Sequence, residues 1–125
     1  MKVLLSIKPQ FAEKIFAGTK KYEFRKAIYK DKNIKTIVVY ASYPVQKVIG
    51  EFEVSYIISK SPKTLWKMTK QDSGISEEYF DEYFGEREVG FAIRVAETFE
   101  YPKPLCLKKD FNINFPPQSF RYLED

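Results

Sequence analysis

The chain has 125 residues, of which 44% are hydrophobic, 30% charged and 17% aromatic, the balance of an ordinary globular protein with one buried core. It contains no histidine and a single cysteine, Cys106. That excludes Ser-His-Asp and Cys-His catalysis, histidine metal sites, internal disulfides and zinc sites of the CxxC kind. The net charge of +4 hides an asymmetry: residues 1–35 hold ten Lys/Arg against three Asp/Glu, and residues 72–88 hold seven Asp/Glu against Arg87 alone. A basic region attracts phosphates, and an acidic one can dock a basic partner.

No apolar run approaches the ~20 residues that span a bilayer. The N-terminus turns charged soon after Met1-Lys2-Val3-Leu4-Leu5-Ser6 and does not read as a secretory signal. The expected location is cytoplasmic, and the expected organisation is one domain over residues 1–125, with no membrane contact, metal or cofactor. Any catalysis falls to Lys, Glu, Asp, Tyr, Ser, Thr or Cys106.

In chain order, Lys2 to Ile7 reads as a short apolar strand. Pro9 suits the first turn of a helix, and Phe11, Ala12, Ile15 and Phe16 recur at helical spacing up to Ala17. Gly18 ends it. In the strand 21–25, Tyr22 and Phe24 point one way while Lys21, Glu23 and Arg25 point the other. Lys26 to Lys35 is a lysine-rich loop. Thr36-Ile37-Val38-Val39-Tyr40 is β-branched and apolar throughout, as in a strand covered on both faces.

The run from Lys47 to Ile58 is the longest predicted strand, with Gly50 marking a bulge or tight bend. Ser61-Pro62 opens a helix that carries Leu65, Trp66 and Met68 and ends near Thr69. A second helix starts at the Ser76 cap, with Glu77 and Glu78 at the positive end of its dipole. Ile75 and Phe80 are spaced as a hydrophobic staple, Tyr79, Phe80, Tyr83 and Phe84 form an apolar stripe, and Gly85 closes it. Val89 to Phe99 alternates as a last long strand. The remainder, through Pro102, Pro104 and Phe115-Pro116-Pro117, reads as loop, because consecutive prolines bar a helix; its aromatic residues make it a strap fixed across the body. Five or six strands with two or three short helices describe an α+β domain, a small curved sheet closing towards a barrel.

Gly18, Lys20, Glu23 and Arg25 form the pattern GxKxxExR, which resembles the signature of the ASCH domain family in the PUA-like superfamily. Leu5-Ser6-Ile7-Lys8-Pro9, Tyr40-Ala41-Ser42 with Pro44, and Pro116-Pro117-Gln118-Ser119-Phe120-Arg121-Tyr122 resemble a bacterial branch of that family. Together these stretches cover nearly the whole chain. The resemblance implies a small PUA-like β-barrel flanked by helices, a cleft bounded by the motif, and binding of RNA or a nucleotide. In such a cleft Lys20 and Arg25 neutralise phosphate, the arginine through two hydrogen bonds, and Glu23 orients the cations or reads a base edge. Tyr40, Tyr43 or Tyr122 stack on an unpaired base, and Ser42, Ser119 and Arg121 add polar contacts.

An alternative comes from small bacterial ASCH proteins that are amidohydrolases, removing acetyl from modified cytidine with a lysine, a threonine nucleophile and a carboxylate. The lysine matches Lys20, Glu23 stands in place of the threonine, and the third group falls near Asp72. A carboxylate cannot replace a hydroxyl nucleophile, so any hydrolase here would have to use Lys20 and Glu23 to move protons. The partners expected are thus RNA or a modified nucleoside or nucleotide, and a protein partner through the acidic helix 76–84.

Overall fold

A computed structural model describes residues 1–124. Its elements are β1 (Lys2–Ile7), α1 (Pro9–Ala17), β2 (Tyr22–Arg25), β3 (Thr36–Ala41), β4 (Lys47–Lys60), α2 (Pro62–Thr69), α3 (Glu77–Phe84), β5 (Gly90–Leu105), α4 (Leu107–Phe111) and β6 (Phe120–Leu123). The six strands form one sheet in the order β2-β5-β4-β3-β1-β6. β1 and β3 run parallel and every other neighbouring pair is antiparallel.

Side-chain alternation places the core on both faces of this sheet. On one face Val3, Leu5, Ile37, Val39, Phe52 and Ile93 pack under α1, which contributes Ala12 and Ile15 with Phe11 and Phe16 beside them. On the other face two separate clusters form. Leu4, Val38, Tyr40 and Val48 meet Leu107 and Ile113 near α4, while Tyr22, Phe24 and Ala92 meet Leu65, Phe80 and Phe84 of α2 and α3. The apolar run of β3 is thus covered on both sides, as its composition requires. Each such side chain contributes about 1.5–3 kcal/mol by leaving water.

The long strands β4 and β5 carry the curvature. Their register shifts between Val48 and Gly50, again between Phe52 and Val54, and again between Val54 and Tyr56, and each shift adds local twist. The bend at Gly50 has a steric cause: a Cβ there would lie 2.6 Å from the Phe16 ring and 2.6 Å from the Phe99 carbonyl oxygen. The sheet stays open, since β2 and β6 are its two edges.

Past Phe99 the chain departs from the loop its prolines suggest. β5 continues to Leu105, because residues 101–104 fall between the Gly50–Glu100 and Val48–Leu105 pairs, where the N–H groups missing at Pro102 and Pro104 interrupt no regular ladder. α4, a fourth helix where two or three were expected, is a single short turn capped by cysteine. The Cys106 Sγ accepts from the Lys109 N–H, and the Asp110 carboxylate accepts from the Cys106 N–H at 2.7 Å. The aromatic tail is fixed as expected, but as a strand: β6 pairs with β1 from Lys2–Leu123 to Leu5–Phe120. Among the described residues no helix is long and apolar enough to cross a membrane.

The Gly50 contact yields a direct expectation. Gly50→Ala must displace backbone at Phe99, and it should lower unfolding free energy by about 1–3 kcal/mol. Urea denaturation measures this; a midpoint equal to that of the wild type would show that the two strands have slack at the bend.

Candidate functional site

The end of β1, α1, the turn into β2, the loop before α3, α3 itself and the tail before β6 enclose a cavity of about 190 Å3. Lys20, Glu23, Phe24 and Arg25 line it from β2 and its approach; Ser6, Lys8 and Phe11 line it from β1 and α1; Tyr79, Tyr83 and Gln118 complete it. The three polar residues of the GxKxxExR pattern therefore share one hollow.

Lys20 is only 2% exposed. Since β2 begins at Tyr22, Lys20 lies outside the strand's alternation and its stem turns inward, while the Lys21 side chain stays in solvent. The Lys20 ammonium donates to the Ser73 carbonyl at 2.8 Å and sits 4.7 Å from the Phe24 ring centroid and 5.3 Å from that of Phe11. Gly74, at φ 68°, packs directly on its stem: a Cβ there would lie 2.5 Å from Lys20 Cβ. Burial lowers the lysine pKa from 10.5 to about 8; the charge of Glu23 raises it in opposition, and Lys14 lowers it further. Lysine is the residue whose pKa responds most readily to such burial.

Glu23, 5% exposed, holds the Arg25 guanidinium at 3.4 Å. Arg25 also donates to the Ser6 carbonyl at 3.1 Å and to the Ser119 carbonyl at 2.7 Å. Three of the five guanidinium donors are thus engaged within the protein. Its fork is turned mainly to backbone, where the sequence reading had it gripping phosphate through two hydrogen bonds. Ser6 Oγ donates to the Pro117 carbonyl at 2.7 Å, so two bonds from β1 and β2 pin the strap that forms one cavity wall.

The other sequence-chosen residues lie elsewhere, except for the Ser119 carbonyl. Tyr40 is 4% exposed and packs in the cluster near α4. Ser42 shapes the β3–β4 turn: its N–H donates to the Ile7 carbonyl and its own carbonyl accepts from Val45. Ser119 enters the site through its carbonyl, as Arg25's acceptor. Arg121 lines a different cavity with Lys2 and Tyr101. Tyr43 is 79% exposed, and the Tyr122 hydroxyl accepts from the Lys30 and Asp31 N–H groups. Asp72 is absent from the cavity lining; its carbonyl accepts from the Lys21 N–H.

The acidic helix α3 divides its aromatic stripe. Phe80 and Phe84 are core, whereas Tyr79 and Tyr83 line the cavity, each with a cation over its ring: Lys8 at 5.4 Å and Lys26 at 4.7 Å from the centroids. Burial raises the Tyr83 pKa, and its hydroxyl accepts from the Lys26 N–H. Lys8, Tyr79, Tyr83 and Gln118 escaped the sequence reading. For the tyrosines the available signal was the pair of hydroxyl-bearing rings at positions i and i+4 beside two phenylalanines; Lys8 and Gln118 stood inside stretches that carry the family resemblance. Among the described residues no group of three or more Cys, Asp or Glu side chains is placed to hold a metal ion.

Comparison with known proteins adds the following. The family model of the ASCH domain matches residues 5–100. An ASCH domain-containing ribonuclease from Zymomonas mobilis is 32% identical over 96% of this chain and 82% of its own length. ATP synthase subunit alpha of Ureaplasma parvum is 35% identical over 98% of this chain, which spans only 15% of that protein. Among solved structures, ASCH from Zymomonas mobilis superposes with a TM-score of 0.91 at 29% identity, over 98% of this chain and 87% of that one.

The buried lysine sets a pH dependence with a defined sign. Below pH about 8 Lys20 is charged in both folded and unfolded chains, and its burial costs about 3 kcal/mol. Between about 8 and 10.5 the unfolded chain binds more protons, so this contribution to stability rises with pH. The unfolding free energy of wild type minus that of Lys20→Met should therefore climb by about 3 kcal/mol from pH 7 to pH 10.5. A difference that stays flat across that window would mean Lys20 titrates as an ordinary surface lysine.

Proposed function

The chain belongs to the ASCH domain family, and on that premise we propose that its cleft seats one nucleotide of a single-stranded RNA and cleaves the phosphodiester bond beside it. The observation that carries this reading is the burial of an ammonium, Lys20, and a carboxylate, Glu23, in one small cavity with tyrosines in its wall. Similarity to a protein named an ASCH domain-containing ribonuclease supports it. So does the size of the cavity, which falls below the roughly 300 Å3 of a drug-sized pocket and suits a single base or phosphate.

The parts have complementary tasks. An unpaired base stacks on Tyr79 or Tyr83 for ~1–3 kcal/mol. Lys8, exposed at the rim, and the two uncommitted donors of Arg25 meet the phosphate. Glu23 accepts the proton of the ribose 2′-hydroxyl as its oxygen bonds to phosphorus. The bond from phosphorus to the 5′-oxygen breaks, and the Lys20 ammonium gives that oxygen a proton. A 2′,3′-cyclic phosphate and a 5′-hydroxyl result, and exchange with water restores the two side chains. With its pKa near 8, Lys20 is mostly protonated at neutral pH yet a far better acid than a free lysine. In this reading the C-terminal strap is part of the same domain, because Gln118 lines the cleft and the Ser119 carbonyl holds Arg25.

End-labelled single-stranded RNA incubated in chelator tests this. Wild type should leave cyclic phosphate ends, with kcat/KM falling as pH rises above about 8, where Lys20 loses its proton. Glu23→Gln should lose on the order of 10²–10⁴ in rate and keep binding within a few-fold, whereas the remote Lys63→Ala changes neither. RNA bound but never cut would reduce the protein to a binding module, and no binding at all would overturn the reading. Acetylcytidine run in parallel, with acetate release as readout, separates amide hydrolysis from phosphodiester cleavage.

A further inference from the structure

The loop between β2 and β3 is rich in lysine, yet it is held in one shape. Tyr29 and Ile34 insert into the main core, each 5% exposed. The Tyr122 hydroxyl accepts from the Lys30 and Asp31 N–H groups, the Asp31 carboxylate accepts from the Asn33 N–H at 2.9 Å, and the Lys35 carbonyl accepts from the Val54 N–H at 2.7 Å. With the backbone tied at these points, Lys30, Lys32 and Lys35 all extend into solvent. They border a groove of about 1010 Å3 against the outer half of β4, far larger than the cleft.

Three features make this groove more than a gap under a loop. Its border carries three lysines against Asp31 alone, a net positive rim. Its floor presents Ile57, 38% exposed, together with Phe91, which stands on the same face of the sheet opposite Ser59. Tyr29 also lines it, and the Tyr29 hydroxyl is buried with no hydrogen-bond partner among the described residues. The groove also adjoins the cleft: Arg25, which lines the cleft, is the cross-strand partner of Phe91, which lines the groove. Side chains so paired on neighbouring strands stand about 5 Å apart on the same face.

We propose that this groove is the path by which the single-stranded RNA leaves the cleft, its phosphates lying along Lys30, Lys32 and Lys35 and its bases over Ile57 and Phe91. The inference rests on the cleft reading above. It explains why a cationic loop is braced by a tyrosine hydroxyl and two core anchors: a preordered row of charges binds a polyanion without first being immobilised. A positively charged groove with an aromatic ring in its floor is also the general design for tracking a single strand without reading its sequence.

The test compares two probes, oligouridylate of twelve nucleotides and the dinucleotide UpU, across a series of KCl concentrations. It uses wild type, the triple variant Lys30→Ala, Lys32→Ala, Lys35→Ala, and a control with the same charge change on α2 and just beyond it, Lys63→Ala, Lys67→Ala, Lys70→Ala. Wild type should bind the twelve-mer much more tightly than UpU. The loop variant should weaken the twelve-mer by about tenfold or more at low salt, lower its log-log salt slope by about 2, and leave UpU unchanged, while the control alters neither. Equal losses in both triple variants, an unchanged slope, or a wild type that prefers neither probe would overturn the groove and leave the cleft reading standing. If wild type binds neither probe, the cleft reading itself falls. Circular dichroism of the loop variant confirms that it remains folded.

Discussion

One guanidinium holds the two ends of this sheet together. β2 and β6 are edge strands with no ladder between them, yet Arg25 on β2 reaches the Ser6 carbonyl on β1 and the Ser119 carbonyl at the entrance to β6. The same group carries the charge of Glu23. A curled sheet left open at one seam exposes unpaired edges and a gap in its core; here two donors of a planar fork bridge it. Such geometry is specific to arginine, because a lysine ammonium has no fixed fork. The cleft is the space beside that bridge, so the residue that completes the fold also sets the position of the site.

Around the bridge, electrostatics work against stability. Lys20 is buried almost completely beside aromatic rings and a backbone carbonyl, a place where methionine would pack with no loss of hydration. Glu23 offsets part of that cost and Lys14 adds to it. Functional sites characteristically hold such mismatched groups, and the surrounding packing keeps them in place. The Ser73–Gly74 segment does this here: its carbonyls receive the ammonium groups of Lys20 and Lys14, and Gly74 lets the backbone approach the Lys20 stem without a clash.

Much of the architecture was legible from local pattern. β1, α1, β3, α2 and α3 lie where periodicity and caps put them, because each rests on an effect confined to a few neighbouring residues: Pro9, Ser61 with Pro62, and Ser76 with its staple. The bend at Gly50 was legible as a glycine inside a strand pattern, although its steric cause, Phe16 and the Phe99 carbonyl, is tertiary. The C-terminal quarter was not. Pro102 and Pro104 are compatible with a strand only because the β4–β5 register is irregular there, and β6 exists only because β1 offers it an edge. α4 is capped by a cysteine thiol, a group that carries no cap signal in a sequence.

The candidate site divides along the same line. Composition alone removed histidine chemistry; strand alternation alone grouped Lys21, Glu23 and Arg25, and it was the resemblance of GxKxxExR to the ASCH signature that singled out Lys20 with Glu23 and Arg25. Which further groups stand with them was decided by tertiary structure. Tyr79 and Tyr83 arrive from a helix more than fifty positions away, Gln118 and the Ser119 carbonyl from nearly a hundred, while Tyr40 turns to the opposite face of the sheet. A strand's alternation says that side chains part to two sides; only the packed sheet says what each side meets.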